Sequence, residues 1–293
     1  MLSAIQFTPP GGSPITLHSS VASTSLVTYD SHYSITRAEG IFGTPETRDL
    51  VRVAPGRDGS IDDTHFLSER KITLEGEILG STPADVLSRW QTMSSAFQLS
   101  LLQPGKLTIT LADGTSQRWT NVILSGSAQP SLEGGSAYLQ YQLTLRAPDP
   151  RWYGMTLNTS SSSVTVTSGT SPVTSSAVTV TNAGTAPSLP VVSFTGALTA
   201  TGTVTVTVPN PAYTNISPQG ATIPLVMQSL VGATTYTGTV DCGLKTVSGV
   251  YVDALTEWPI LYPGSSSWTL KVNATPVSSQ SFSAQVSWYD AWW

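Results

Sequence analysis

The chain has 293 residues, which is enough for two domains of ordinary size. Hydrophobic residues make up 39% of it and charged residues only 11%, a low charge content that favours a β-rich protein or a surface largely covered by partners. The net charge of -5 argues against nucleic acid as a direct partner, and the single cysteine excludes an internal disulfide framework and a multi-cysteine zinc site.

The start of the chain predicts short strands and no targeting segment. The N-terminus carries no basic region followed by an apolar run, and no stretch reaches the roughly 18 consecutive apolar residues that a spanning helix needs. We therefore expect no secretory signal and no membrane partner. The first predicted strands are Ser3–Phe7, Ile15–Leu17, Leu26–Tyr29 and Tyr33–Arg37.

Residues 41–69 interrupt this pattern with glycine, proline and charges of both signs. A long excursion of this kind inside a compact domain is usually functional or disordered. The residues alone leave two interpretations open: a solvated loop, or an arm or extended hairpin that reaches a neighbouring subunit through Arg/Asp pairing. The residues that would form this subunit interface are Arg48, Arg52, Arg57, Asp58, Asp62 and Asp63.

An α+β arrangement is predicted for the rest of the first half, with one helix on an antiparallel sheet. Lys71–Leu79 alternates apolar and polar residues, which predicts a strand with one wet face. A helix is predicted at about 82–99, because Thr82 can cap it, Pro83 suits its first position, and apolar residues recur at helical spacing. Lys106–Leu124 predicts a β-hairpin around Asp113-Gly114, and a last alternating strand covers 137–145.

A compositional step divides the chain into predicted domains at residues 1–150 and 151–293. Of the 31 charged side chains, 24 fall in the first half and 7 in the second. Pro148 and Pro150 break any continuing strand at the step. The polar stretch Thr159–Ser163 that follows predicts a short linker or an exposed turn.

The second half consists of short β-branched runs separated by Gly, Pro and Asn, which predicts a β-sandwich of about eight strands. These runs are Val164–Thr167, Ser176–Asn182, Leu189–Phe194, Thr203–Val208, Thr234–Asp241, Thr246–Val250, Trp268–Val272 and Phe282–Trp288. Exposed aromatic side chains can stack on sugars, and Trp258 and Tyr262 are the candidates for such a contact. Packing in the sandwich is the alternative role for both.

The sequence contains no recognisable catalytic, metal or cofactor constellation. His18, His32 and His65 are scattered and show no metal-ligand spacing. The acidic segment Asp58–Asp63 lacks the alternating oxygen ligands and the closing glutamate of a calcium loop. Asp253 and Glu257 could form a carboxylate pair but more simply edge a loop. We therefore expect no enzyme and no cofactor.

The order of features resembles the phage distal tail protein family, a component of siphovirus tails. The first half carries this resemblance in four stretches, which are Gly43–Arg48, Pro55–Gly59, Phe66–Gly76 and the closing Leu145–Tyr153. The second half looks like the galectin-like, jelly-roll-like or carbohydrate-binding-module-like sandwich of the larger members. Its matching stretches are Val180–Pro190, Tyr262–Gly264 and Trp288–Trp292.

This resemblance implies a structural virion protein at the tip of a long non-contractile tail, made in the host cytoplasm. Members of the family form a ring, usually a hexamer, whose outer rim carries the C-terminal domains. The ring joins the tail tube protein to the tail-associated tip protein and can anchor receptor-binding proteins. A closed ring needs head-to-tail contacts, so the resemblance favours the arm over the loop for residues 41–69. The alternative function is a carbohydrate-binding module for attachment to the host cell wall.

Overall fold

The computed structural model describes residues 2–19, 33–53, 60–126, 128–131, 137–167, 172–196, 202–209, 222–228, 236–249, 251–252, 258–274 and 280–293. The chain forms two compact units, residues 1–155 together with Trp293, and residues 156–292. In these described ranges both units are built almost entirely from β-strands, with one helix in the first, so the predicted mainly-β fold is confirmed. No helix within these ranges is long and apolar enough to cross a membrane.

In the first unit the strands close into a barrel. Its elements are β1 (Leu2–Thr8), β2 (Ile15–Ser19), β3 (Tyr33–Glu39), β4 (Thr47–Val53), β5 (Ser60–Leu67), β6 (Arg70–Leu79), α1 (Pro83–Leu99), β7 (Gly105–Leu111), β8 (Gln117–Leu124), β9 (Gln129–Ser131), β10 (Tyr138–Ala147) and the start of β11 (Trp152–Val166). The barrel strands pair in the order β8-β7-β1-β2-β3-β6-β10, and β10 returns to β8 through Leu145↔Leu124 and Arg146↔Ile123. Of these pairings only β2 with β3 is parallel.

The helix α1 begins and packs as its sequence predicts. The Thr82 side chain accepts a hydrogen bond from the Asp85 N–H at 3.2 Å, which satisfies one of the free donors of the first turn. Val86, Met93 and Phe97 are fully buried, and the Phe97 ring stacks on a barrel phenylalanine with its centroid 4.1 Å away. Burying these side chains fixes the helix on the barrel.

Alternate side chains of the predicted strand β6 are buried. Ile72, Leu74 and Ile78 are fully buried, as the alternation predicts, and Gly76 lies on the same face. Arg70 occupies the first position of this buried series and is only 4% exposed. The strand therefore places an arginine where its pattern puts apolar side chains.

The second unit is a sandwich of two sheets around one apolar cluster. After β11 its strands are β12 (Val173–Thr174), β13 (Val178–Asn182), β14 (Val191–Gly196), β15 (Gly202–Pro209), β16 (Thr222–Gln228), β17 (Tyr236–Asp241), β18 (Thr246–Ser248), β19 (Tyr251–Val252), β20 (Gly264–Ala274) and β21 (Gln280–Trp292). One sheet pairs β18-β17-β14-β21-β11, and the other pairs β12-β20-β15-β16-β19 with β13 also on β20. Inward side chains of both sheets share the cluster, among them Phe194, Trp268, Val286 and Trp288.

Several strand predictions need correction or extension. The Thr159–Ser163 linker is wrong, because these residues lie inside the continuous strand β11. The strand β16 was missed, since Pro224 in its middle argues against a strand. The predicted hairpin around Gly114 (φ 71°) is confirmed, with a connection of residues 112–116. The predicted strand 26–29 lies outside the described residues.

Candidate assembly site

The excursion at residues 41–69 forms an antiparallel hairpin. β4 and β5 pair from Thr47↔Leu67 to Val53↔Ser60, with a bulge between Asp49 and Val51, and they make a two-stranded sheet of their own. A backbone hydrogen bond of 2.8 Å from the Ser68 N–H to the carbonyl of the residue before β4 closes the base. An extended hairpin, one of the two forms of this segment considered from its sequence, is therefore present.

The residues predicted for the subunit interface are distributed along this hairpin. Arg48 is exposed near the base of β4. Arg52 lies on β4 opposite Ile61, and Asp62 lies on β5 opposite Val51, with Asp63 beside it. The other two, Arg57 and Asp58, fall outside the described residues. Contact of any of them with a neighbouring subunit stays a prediction.

The root of the hairpin is held by the buried side chain of Arg70. Its Nη1 donates to the carbonyls of Gly40 at 3.0 Å and Gly43 at 3.1 Å, with a longer contact of 3.4 Å to Ile41. Its Nε donates to the carbonyl of Pro150 at 2.8 Å. Burial lowers the pKa of Arg70 from its ordinary value, but an arginine stays protonated in proteins. One cation thus bonds the start of the excursion to the connection between β10 and β11.

The motif Ala147–Tyr153 supplies the other half of this junction. The Trp152 indole, 1% exposed, donates to the Ile41 carbonyl at 2.9 Å. Asp149 accepts from the backbone N–H of Arg151 at 3.1 Å and pairs with its guanidinium at 3.2 Å. It also accepts from the Tyr153 hydroxyl, and burial first and Asp149 second raise the pKa of that phenol. The motif is therefore a hydrogen-bonded turn, with no reactive arrangement.

A cavity of about 340 Å³ opens beside the root. Phe42, which is 55% exposed, supplies apolar surface, while Glu46 and Lys71 supply charges of both signs. Protein–protein contacts typically surround apolar surface with a polar, solvent-accessible rim. The hairpin, its root and this cavity together form the candidate assembly site.

The sequence pattern of β6 contains a signal for Arg70. It has the same parity as Ile72 and Leu74, so the period-2 pattern of β6 already places it on the buried face. A lone arginine on a buried face must find hydrogen-bond acceptors, which marks it as a structural or functional position. What the pattern could not supply is the identity of the acceptors, because Gly40 and Pro150 lie far from Arg70 in sequence.

In the second unit, three separate sequence motifs meet at Asn182. Its side-chain N–H groups donate to the carbonyls of Ala186 at 2.8 Å and Leu261 at 3.0 Å. Its side-chain oxygen accepts from the backbone N–H groups of Gly184 at 3.1 Å and Ala291 at 3.3 Å. The stretches around 180–190, 261–264 and 288–292 are thus joined by one buried amide. Their shared role in this structure is to fix the sandwich.

The aromatic residues proposed for sugar contact are only partly accessible. Trp258 packs against the apolar cluster of the sandwich, and Tyr262 is half-buried. The neighbouring Trp268 is 1% exposed and Trp288 5%, so both serve the core. Sugar contact by Trp258 and Tyr262 stays a prediction.

In the described part of the chain, the fold brings together no set of side chains that could act on a substrate. It contains no cluster of three His, Cys, Asp or Glu side chains that could hold a metal ion. Cys242 is buried directly after β17, and this burial together with Asp241 raises the pKa of its thiol to about 12. His18 is exposed. The residues His32, Asp253 and Glu257 lie outside the described ranges.

Comparison with known proteins identifies the fold. No family model matches the chain, and no curated protein sequence matches it. The Dit protein (gp 19.1) of phage SPP1, described as a paradigm of the hub adsorption apparatus in phages that infect Gram-positive bacteria, aligns with a TM-score of 0.53 at 16% identity. The alignment covers 86% of this chain and 92% of that one.

Two structures of the phage P2 baseplate in its activated conformation also match. The one with Ca aligns over 97% of this chain and 98% of that chain, with 11% identity and a TM-score of 0.42. The one with Sr aligns over 96% and 97%, with 11% identity and a TM-score of 0.41. The SPP1 alignment shows that the chain has the fold of a phage distal tail protein. The galectin-like character of the second half stays a prediction.

Proposed function

We propose that this chain, which shares the fold of a phage distal tail protein, is a structural hub subunit of a phage tail tip. The observation that carries the proposal is the extent of the likeness to SPP1 Dit, which covers 86% of this chain and therefore includes residues of both units. The hub role is carried over from SPP1 Dit, which is described as a paradigm of the hub adsorption apparatus. The chain performs no catalysis in this proposal, since its work is assembly.

The proposed subunit forms a closed ring, a hexamer in the simplest case, through its first half. A ring requires two different surfaces on each copy, one of which meets the other on the next copy. The β4–β5 hairpin suits one of these surfaces because it forms a sheet separate from the barrel and carries Arg48 exposed near its base. Its arginines and aspartates would pair across the junction and fix the rotation between copies.

The remaining partners are assigned by the same proposal. The ring domain, residues 1–150, joins the tail tube protein above to the tail-associated protein below. The second domain, residues 151–293, lies on the rim of the ring and offers a mount for receptor-binding proteins. Its low charge, 7 of the 31 charged side chains, suits surfaces that become covered by other tail proteins. The site of action is the tail tip of the virion.

Light scattering coupled to size exclusion, with negative-stain images of the same fractions, tests the proposal. We expect a discrete oligomer that appears as a ring of fixed symmetry. The variant Arg48→Glu should weaken the ring, and added salt should weaken it too because salt screens the attraction between the exposed Arg48 and opposite charges on the neighbouring copy. Arg37→Glu is the matched control, since this exposed arginine lies on β3 of the barrel. A strict monomer at high concentration in low salt would contradict the proposal.

Binding of host cell-wall sugars is the alternative proposal for the second half. Its support is weaker, because Trp258 packs against the core of the sandwich. A glycan array with the whole chain would test it, with Tyr262→Ala as the informative variant, since this side chain is partly exposed and is not part of that core. Retention of a host glycan that the variant loses would establish sugar binding. No retained glycan would exclude it for the sugars on the array.

A further inference from the structure

We infer that Arg70 and Trp152 act as positioning residues that set the direction of the β4–β5 hairpin. We call these two side chains, with the carbonyls of Gly40, Ile41 and Gly43 that they bind, the root clamp. The inference rests on the proposed function, because it assigns the clamp's purpose to the hairpin's contact with a neighbouring copy. The mechanical part, that the clamp fixes the hairpin, can be tested without any assembly.

The clamp ties the two ends of the hairpin to each other. The chain enters the hairpin through residues 40–46 after β3, and it leaves through residues 68–69 into β6. Arg70 stands on the exit side, whereas the carbonyls of Gly40 and Gly43 stand on the entry side. The bond from its Nε to Pro150 fixes both ends to the β10–β11 connection as well. A single planar guanidinium therefore bonds both ends of the root, in addition to the backbone bond from the Ser68 N–H that closes the hairpin's base.

The hydrogen-bond partners of Arg70 indicate that this side chain orients the hairpin more than it stabilises the barrel. All of its described hydrogen bonds go to backbone carbonyls, and the adjacent Glu69 pairs with Arg146 at 3.1 Å. Its Nη2 is buried and has no partner among the described residues. A buried cation that is only partly satisfied gives a barrel little that an apolar side chain of similar volume would not give. The fixed fork of donors is what such a side chain would lack.

Trp152 supports the entry side independently. Its indole N–H binds the Ile41 carbonyl, and the carbon at the centre of the guanidinium lies 6.0 Å from its ring centroid. Both Trp152 and Ile41 are 1% exposed, so water does not compete for this bond. Removing the indole N–H while keeping an aromatic ring should loosen the same root as removing Arg70.

The length of the hairpin makes the direction at its root important. β4 has seven residues and extends about 23 Å at about 3.3 Å per residue. A change of about 10° at the root would move the far end of β4 by about 4 Å. Hydrogen bonds and ion pairs across a junction between copies tolerate displacements of only a few tenths of an ångström. A hairpin that is intact but free at its root would therefore miss its partner.

Hydrogen exchange measured by mass spectrometry on the whole chain tests the clamp, with Arg70→Met and Trp152→Phe as the variants. In both we expect peptides from residues 40–53 and 60–69 to exchange about tenfold faster or more, because hydrogen bonds at the root are lost. Peptides from β7 and β8 should be unchanged. Arg70→Lys should behave like Arg70→Met, since one ammonium cannot reproduce the fork. Arg37→Met, which removes an exposed arginine, should leave the hairpin's exchange unchanged.

The outcomes separate the inference from the proposed function. Wild-type exchange of the hairpin in either variant, when that variant is folded, overturns the clamp. Unfolding of the barrel in Arg70→Met, combined with an unchanged hairpin in Trp152→Phe, overturns it too. A loosened hairpin together with loss of the ring supports both ideas. A loosened hairpin with an unchanged oligomer keeps the mechanical clamp and rejects the hairpin as the subunit contact.

Discussion

Replacing Asn182 by alanine should destabilise the sandwich by about 3 kcal/mol. The side chain is 2% exposed and makes four hydrogen bonds to backbone groups. The Leu261 carbonyl also accepts from a backbone N–H at 2.8 Å, so it keeps one hydrogen bond when the amide is removed. The Gly184 N–H, the Ala186 carbonyl and the Ala291 N–H each lose their hydrogen bond to Asn182. At about 1 kcal/mol for each of these three lost hydrogen bonds, the sum is about 3 kcal/mol. For a unit of residues 156–292 this lowers the Tm by about 10 °C.

Differential scanning calorimetry would measure this loss, and two further variants sharpen the result. Asn182→Asp keeps the shape and the acceptor but aims a carboxylate at two carbonyl oxygens, so it should be at least as destabilising as Asn182→Ala. Asn158→Ala is the matched control, because Asn158 is a partly exposed residue on β11. The amides of Gly184 and Ala291 should also exchange faster in both Asn182 variants. A Tm loss no greater than the control's, or an aspartate tolerated better than alanine, would refute this reasoning.

Two further predictions concern a thiol and a glycine. Burial raises the pKa of Cys242 from 9.0 to about 12, so the native thiol should react with Ellman's reagent at pH 8 about a thousandfold more slowly than the unfolded chain. Equal reaction rates in native and unfolded protein would contradict the raised pKa. Because the fold favours the neutral thiol, the stability that this preference contributes is present below about pH 9 and is lost as the pH rises towards 12. Gly40→Ala should lower the Tm far more than Gly114→Ala, as measured by thermal denaturation, although both glycines have positive φ (75° and 71°). A Cβ on Gly40 would lie 1.8 Å from the Lys71 carbonyl oxygen, whereas one on Gly114 meets open space, so equal shifts would disprove the close approach.

The sequence predicted those elements whose formation depends on residues close together in the chain. The start of α1 was predictable because Thr82, Pro83 and Asp85 each satisfy a requirement of the first turn. The strand β6 was predictable because Ile72 and Ile78 are buried while the residues between them alternate. In both cases one face of a single element meets the core, so its periodicity carries the information.

Long-range pairing accounts for what the sequence did not predict. The barrel closes where Leu145 meets Leu124, and no periodic pattern in β8 or β10 specifies that partner. Ser160–Ser163 form part of a long strand but alternate only between exposed and partly buried positions, so their polar run resembled a linker. The candidate site was predicted as a segment and as a set of charges. Its root, built from Arg70 and Trp152, depends on carbonyls that only the folded chain brings near.

The way Arg70 is held bears on the conditions under which the hairpin keeps its place. Its acceptors are carbonyl oxygens, which do not titrate, and a guanidinium keeps its proton at any acidity that a protein tolerates. An exposed ion pair such as Arg37 with Glu39 weakens when salt is added or the carboxylate is protonated. The buried bonds of Arg70 are screened far less. For a protein proposed to work outside the cell, where acidity and salinity change with the surroundings, the hairpin would keep the same alignment in fresh water, brine or mild acid.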